Sequence, residues 1–200
     1  GGARGAYQAG VLRGLLDLHE EMGILIQEVV GTRVGPYWMP AFSGVGFSNN
    51  EFRWSARIKR EDGLLRIVPG LGTRAVDRLS DDYPVLVAPG QPGLRINQSP
   101  EEAQRYAPRK ADVINLETGV FETVDMRELV GRFGHEMPFL RQMISIADQD
   151  HLRRPVGLVD FSRDEIVLSF EGLLSDSPFV TRMRTLLQVL REKLKTPVDI

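Results

Sequence analysis

One long amphipathic run closes this chain, and almost everything before it is broken into short extended stretches by glycine and proline. In that run Phe179, Met183, Leu186, Leu187, Leu190 and Leu194 recur on one helical face, Ser177 can cap the helix and Pro178 suits its first turn. Residues 7 to 20 read as a shorter helix. Residues 24 to 30 form a β-branched stretch that reads as a strand ending at Gly31, and Phe42 to Phe47 and Leu64 to Val68 read as two more. Pro69-Gly70-Leu71-Gly72 then forces a loop, and Tyr83 to Val87 is short and extended. Residues 90 to 110 read mainly as surface loop. Val113–Leu116 with Val120–Val124, and Val156–Phe161 with Ile166–Phe170, suggest two hairpins. Many short strands with few helices point to an α+β fold, without repeats.

Composition excludes several classes of function. Net charge is −2, with 25 basic and 27 acidic residues interleaved, so broad electrostatic attraction to nucleic acid is not expected. No run approaches the ~18 consecutive apolar residues of a membrane span. The N-terminus lacks the basic leader and apolar core of a secretory signal. The chain has no cysteine, which removes disulfides, thiol catalysis and sulfur-ligated metals and fits a reducing, cytoplasmic setting.

The first glycine-rich segment, Gly1-Gly2-Ala3-Arg4-Gly5-Ala6 and on to Gly14, resembles the opening of a patatin-like phospholipase, whose backbone N–H groups stabilise an oxyanion. That resemblance implies a serine in a G-x-S-x-G elbow between strand and helix. The segment with this spacing, Gly31-Thr32-Arg33-Val34-Gly35, carries an arginine at the nucleophile position, which disfavours a serine hydrolase. Asp62-Gly63 is a poor match to the family's later aspartate.

From about residue 15 to 200 a different resemblance takes over. Ile26-Gln27-Glu28-Val29-Val30, Phe42-Ser43-Gly44-Val45-Gly46-Phe47-Ser48, Gly70-Leu71-Gly72-Thr73-Arg74 and the tail Lys195-Thr196-Pro197-Val198-Asp199-Ile200 occur in order. Together they resemble the ATP-grasp nucleotide-binding domain of phosphoenolpyruvate synthase and pyruvate, phosphate dikinase. The resemblance implies ATP with Mg²⁺ as cofactors and a partial ATP-grasp domain that works with flanking domains of a longer protein. It implies that Gln27, Glu28 and Val30 lie on the strand that reads adenine, with Glu28 toward the ribose. Gly72 would bend the chain near the phosphates, with Thr73 and Arg74 as phosphate contacts.

Departures from the pattern matter as much. The family pattern is Gly-Leu-Gly-Glu, and this chain has Thr73 where the acidic residue stands. Neither threonine nor arginine replaces a carboxylate as a Mg²⁺ ligand. The resemblance also implies a metal-binding glutamate directly beyond Ile200, and Asp199, on the opposite face of that strand, does not substitute for it. His19, His135 and His151 show no paired-ligand spacing and are expected to be structural or exposed. The expected function is therefore the ATP-binding portion of a phosphotransferase, incomplete as an isolated chain, with a non-catalytic interaction or regulatory module as the alternative.

Overall fold

The computed structural model describes residues 28–76, 82–97, 99–149, 151–157, 159–161 and 164–200. Thr32–Ile200 form one compact unit; Gly1–Gly31 fall to a separate one, of which Glu28–Gly31 are described. The larger unit is α+β. Its strands are β1 (Thr32–Val34), β2 (Tyr37–Met39), β3 (Phe42–Phe47), β4 (Leu64–Pro69), β5 (Val85–Val87), β6 (Lys110–Asn115), β7 (Phe121–Asp125), β8 (Ser145–Asp148), β9 (His151–Arg153) and β10 (Glu165–Val167). Its helices are α1 (Thr73–Val76), α2 (Pro100–Arg105), α3 (Met126–Phe133), α4 (Leu140–Met143), α5 (Glu171–Ser175) and α6 (Phe179–Leu194). The strands form three antiparallel sheets with orders β1-β2-β6-β7, β3-β4-β5 and β10-β8-β9. No helix among the described residues is long and apolar enough to cross a membrane.

The β3-β4-β5 sheet carries the motifs. Phe42 pairs with Pro69 and Phe47 with Leu64, so all six residues of β3 have partners on β4. Alternation along β4 sends Leu65 and Ile67 into the core that also takes Leu187 of α6. Helix and sheet meet closely because Gly46 has no side chain: a Cβ there would stand 3.1 Å from Leu65, 3.4 Å from Ile200 and 3.6 Å from Leu187. Phe42 closes one end by packing edge-on against Phe170 and Phe179, at 6.2 and 5.4 Å between ring centroids. Such aromatic pairs add about 0.5–1.5 kcal/mol each beyond burial. The tail completes the free edge of β3. Gly46 and Ile200 exchange two backbone hydrogen bonds at 2.8 and 2.9 Å, and the Ser48 amide donates to the Val198 carbonyl at 2.9 Å.

Several expectations hold in detail. Strands β3 and β4 lie where their patterns put them, and β6 and β7 form the expected hairpin, with Gly119 at φ 72°. The last helix is present, but Pro178 rather than Ser177 occupies its N-cap, while the Ser177 hydroxyl accepts from the Phe179 amide at 3.2 Å. Its buried positions are Val180 and Leu187, with Phe179, Met183 and Leu190 half-buried; Leu186 and Leu194 are exposed rather than part of the stripe.

Others are corrected. Glu28–Val30 are exposed and not in a strand, and the rest of the 24–30 stretch, like the 7–20 helix, lies outside the described residues. The 90–110 segment contains α2, whose start is a capping box. Ser99 Oγ accepts from the Glu102 amide at 3.1 Å, and the Glu102 carboxylate accepts from the Ser99 amide at 3.4 Å. The second suggested hairpin does not form. Strand β10 pairs with β8 instead, and Pro155 and Gly157 (φ 74°) interrupt the stretch that was to be its partner.

Candidate functional site

The Gly70–Arg74 turn is where the motifs meet the rest of the fold. Gly70 leaves β4 at φ 69°, the left-handed region that favours glycine, and forms a parallel bridge with Asp112 of β6. A Cβ on Gly70 would lie 2.5 Å from the Asp112 carbonyl oxygen. The next amide, Leu71, donates to that carbonyl at 2.8 Å. The turn thus joins the β3-β4-β5 sheet to the β1-β2-β6-β7 sheet by backbone contact, and α1 follows at once.

Three buried charged groups gather beneath it. The Arg74 side chain is only 6% exposed, with Nε 3.5 Å from Asp82 and Nη1 3.6 Å from Asp112, whose side chains are 6% and 5% exposed. Thr73 Oγ1 donates to Asp112 Oδ2 at 2.5 Å, and Thr123 Oγ1 of β7 donates to Oδ1 at 2.7 Å. Asp82 accepts from the backbone amides of Tyr83, Arg109 and Lys110 at 3.0, 2.8 and 3.0 Å. Both carboxylates thereby have hydrogen-bond donors and a guanidinium beside them, the condition under which buried charge is tolerated.

This geometry bears on each residue singled out in the sequence. Gln27 lies outside the described residues; Glu28 and Val30 belong to the smaller unit, Val30 being 79% exposed. Gly72 sits in the turn with a negative or extended φ, and its nearest neighbour for an added Cβ is Ser43 at 3.4 Å, ordinary contact. Thr73 and Arg74 are adjacent to it but point into the Asp112–Asp82 cluster. Asp199 is exposed, opposite Phe47. His135 is exposed beside Glu136 and His151 is exposed on β9, while His19 lies outside the described residues. Sequence reading missed Asp82, Asp112 and Thr123. The one local signal is a carboxylate between Ala111 and Val113, both fully buried, in a strand whose pattern has no room for an unpaired charge.

Beside the turn, an apolar cleft of about 250 Å³ runs along Phe42–Gly46, Leu65–Ile67, Phe179, Met183 and Ile200. Here Gly44 is indispensable in space, since a Cβ would lie 2.2 Å from the Arg66 carbonyl oxygen.

A divalent cation does not fit the side chains around the turn. Each Asp112 oxygen already takes a threonine hydroxyl, and both Asp82 oxygens take backbone amides. Among the described residues no group of three or more His, Cys, Asp or Glu side chains is placed to hold a metal ion. Arg33, at the nucleophile position of the hydrolase pattern, pairs with Trp38 in the β1–β2 hairpin, and its Nε donates to the Gly35 carbonyl at 2.9 Å. A serine elbow needs a strand running into a helix; this is strand, turn and strand.

The chain matches the family described as pyruvate phosphate dikinase, AMP/ATP-binding domain, over residues 6–200, and it belongs to that family. That span takes in residues 6–14, so the patatin-like resemblance at the N-terminus gains no support from it. No curated protein and no solved structure matches the chain.

Proposed function

We propose that this member of the pyruvate phosphate dikinase nucleotide-binding family holds ATP or AMP as the binding portion of a phosphotransferase. In this reading the Gly70–Arg74 turn shapes the nucleotide face and does not itself neutralise or transfer phosphate. The supporting observation is the inward-facing Arg74, flanked by Asp82 and Asp112. Phosphoryl transfer depends on charge neutralisation around the moving group, and a guanidinium spent on two carboxylates has little left to give. With Thr73 in the acidic position, magnesium enters as the ion carried by the nucleotide's own phosphates. Gly72 with Thr73 provides the phosphate-side bend. Any transfer step falls to the longer protein with its flanking domains, in a cytoplasmic setting suited to a cysteine-free chain.

The same buried cluster favours a second reading, an interaction or regulatory module whose nucleotide site is degenerate. Calorimetric titration with ATP separates the two. Saturable binding, weakened in Gly72→Ala while that variant melts like the parent, is the expected outcome. No heat of binding, even in a chain extended at both ends, would leave only the interaction module.

A further inference from the structure

A cavity of about 320 Å³ lies between β5, α2, α5 and the β8–β9 hairpin, and no residue of the Gly70–Arg74 turn lines it. Much of its wall is aliphatic, with Leu86, Ala103, Leu152 and Leu168 in the lining. That size, with an apolar wall and a few polar groups, is typical of small-molecule sites.

What the cavity can take follows from which of its polar groups are already engaged. The Glu171 carboxylate accepts from Arg95 Nη2 at 3.1 Å and from the Ser175 hydroxyl. Arg154 Nη1 pairs with Asp176 at 2.7 Å. The Ser145 and Ser169 hydroxyls bond each other at 2.7 Å. An ion entering here would give up water and meet charges that already have their counter-charges, which is a net cost. The lining therefore selects against both signs of charge.

Two uncharged groups remain. The Asn97 carboxamide and the Tyr106 hydroxyl belong to half-buried residues of the lining, and neither makes a hydrogen bond with another described residue. Neither is among the side-chain atoms sealed from solvent without a partner, so a small molecule can reach them. A carboxamide holds a donor and an acceptor side by side. Its match is a ligand edge with the reverse pair, as in a primary amide, a lactam or a nitrogen heterocycle. The aliphatic wall suits a ring behind that edge.

We propose that this cavity binds a small uncharged ring compound through an amide-like edge, with the donor–acceptor pair taken by Asn97 and the ring lying against Leu86, Leu152 and Leu168. The inference is independent of the nucleotide reading, because the cavity shares no residue with the turn.

Benzamide, benzoate and benzamidine have nearly one shape and differ in charge, so the test titrates each separately and follows amide chemical shifts. Benzamide is expected to saturate, and both ions to bind about tenfold or more weakly. Asn97→Leu removes the donor and the acceptor together and should weaken benzamide about tenfold, the loss expected for roughly two neutral hydrogen bonds. Leu152→Trp, which fills the cavity, should abolish binding and serves if Asn97→Leu does not fold. Added ATP should leave benzamide affinity unchanged. The proposal is overturned if benzamide does not saturate, if either ion binds as tightly, if folded Asn97→Leu or Leu152→Trp binds like the parent, or if ATP displaces the probe.

Discussion

Replacing Asp112 by alanine is expected to remove on the order of 3–5 kcal/mol of unfolding free energy, the largest effect of any substitution considered for this chain. The reason is the number of groups that Asp112 satisfies. Its carboxylate takes the hydroxyls of the exposed Thr73 and Thr123 and stands 3.6 Å from the Arg74 guanidinium, and both charged side chains are buried. Removing one partner of a buried pair leaves the Arg74 charge desolvated with only Asp82 beside it. Urea unfolding of Asp112→Ala, set against the parent, measures the loss, which is a large share of a typical domain's ~5–15 kcal/mol. The double change Arg74→Met with Asp112→Leu should cost less than the single one, because removing both charges leaves Asp82 with its three backbone donors. A loss below about 1 kcal/mol for Asp112→Ala would mean that the cluster is hydrated and does not organise the turn.

Gly70→Ala is expected to follow closely, at roughly 2–5 kcal/mol, combining about 1–2 for a left-handed backbone with about 1–3 for overpacking. The position has φ 69°, and its new methyl would lie 2.5 Å from the Asp112 carbonyl and 3.1 Å from Ala111 Cβ. The turn would have to move off β6, breaking the Leu71-to-Asp112 hydrogen bond. Gly72, two residues on, makes the internal control. Its φ is not positive and an added Cβ finds only ordinary contact with Ser43, so Gly72→Ala should stay within about 1 kcal/mol of the parent. Thermal melts of the two variants side by side check the contrast. Equal melting temperatures would show that the turn tolerates displacement and that the bridge between sheets is not needed.

The same pair of glycines shows how much the sequence disclosed. Glycine and proline punctuation located the turn after β4, and alternating apolar residues located β3, β4 and the β6–β7 hairpin, because those signals are local. Which glycine the backbone needs was not legible, since Gly70 is fixed by a strand some forty residues downstream. The burial of Arg74 is hidden from the local sequence for the same reason. Its inward direction follows from Asp82 and Asp112, and the Thr73–Asp112 bond spans 39 residues that no local pattern links. Helix α2 is a different kind of miss, because Ser99 and Glu102 form a capping box that was present in the sequence and overshadowed by the prolines and glycines around it.

If this family member binds nucleotide while its glycine turn serves only as scaffold, ATP binding and phosphate release must separate. Calorimetric titration with ATP, once with magnesium and once with the metal chelated, tests it most directly when free phosphate is assayed in the same samples. Saturable binding is expected under both conditions, with similar Kd and no phosphate released. Binding that disappears on chelation, or phosphate release that depends on Thr73, would contradict it.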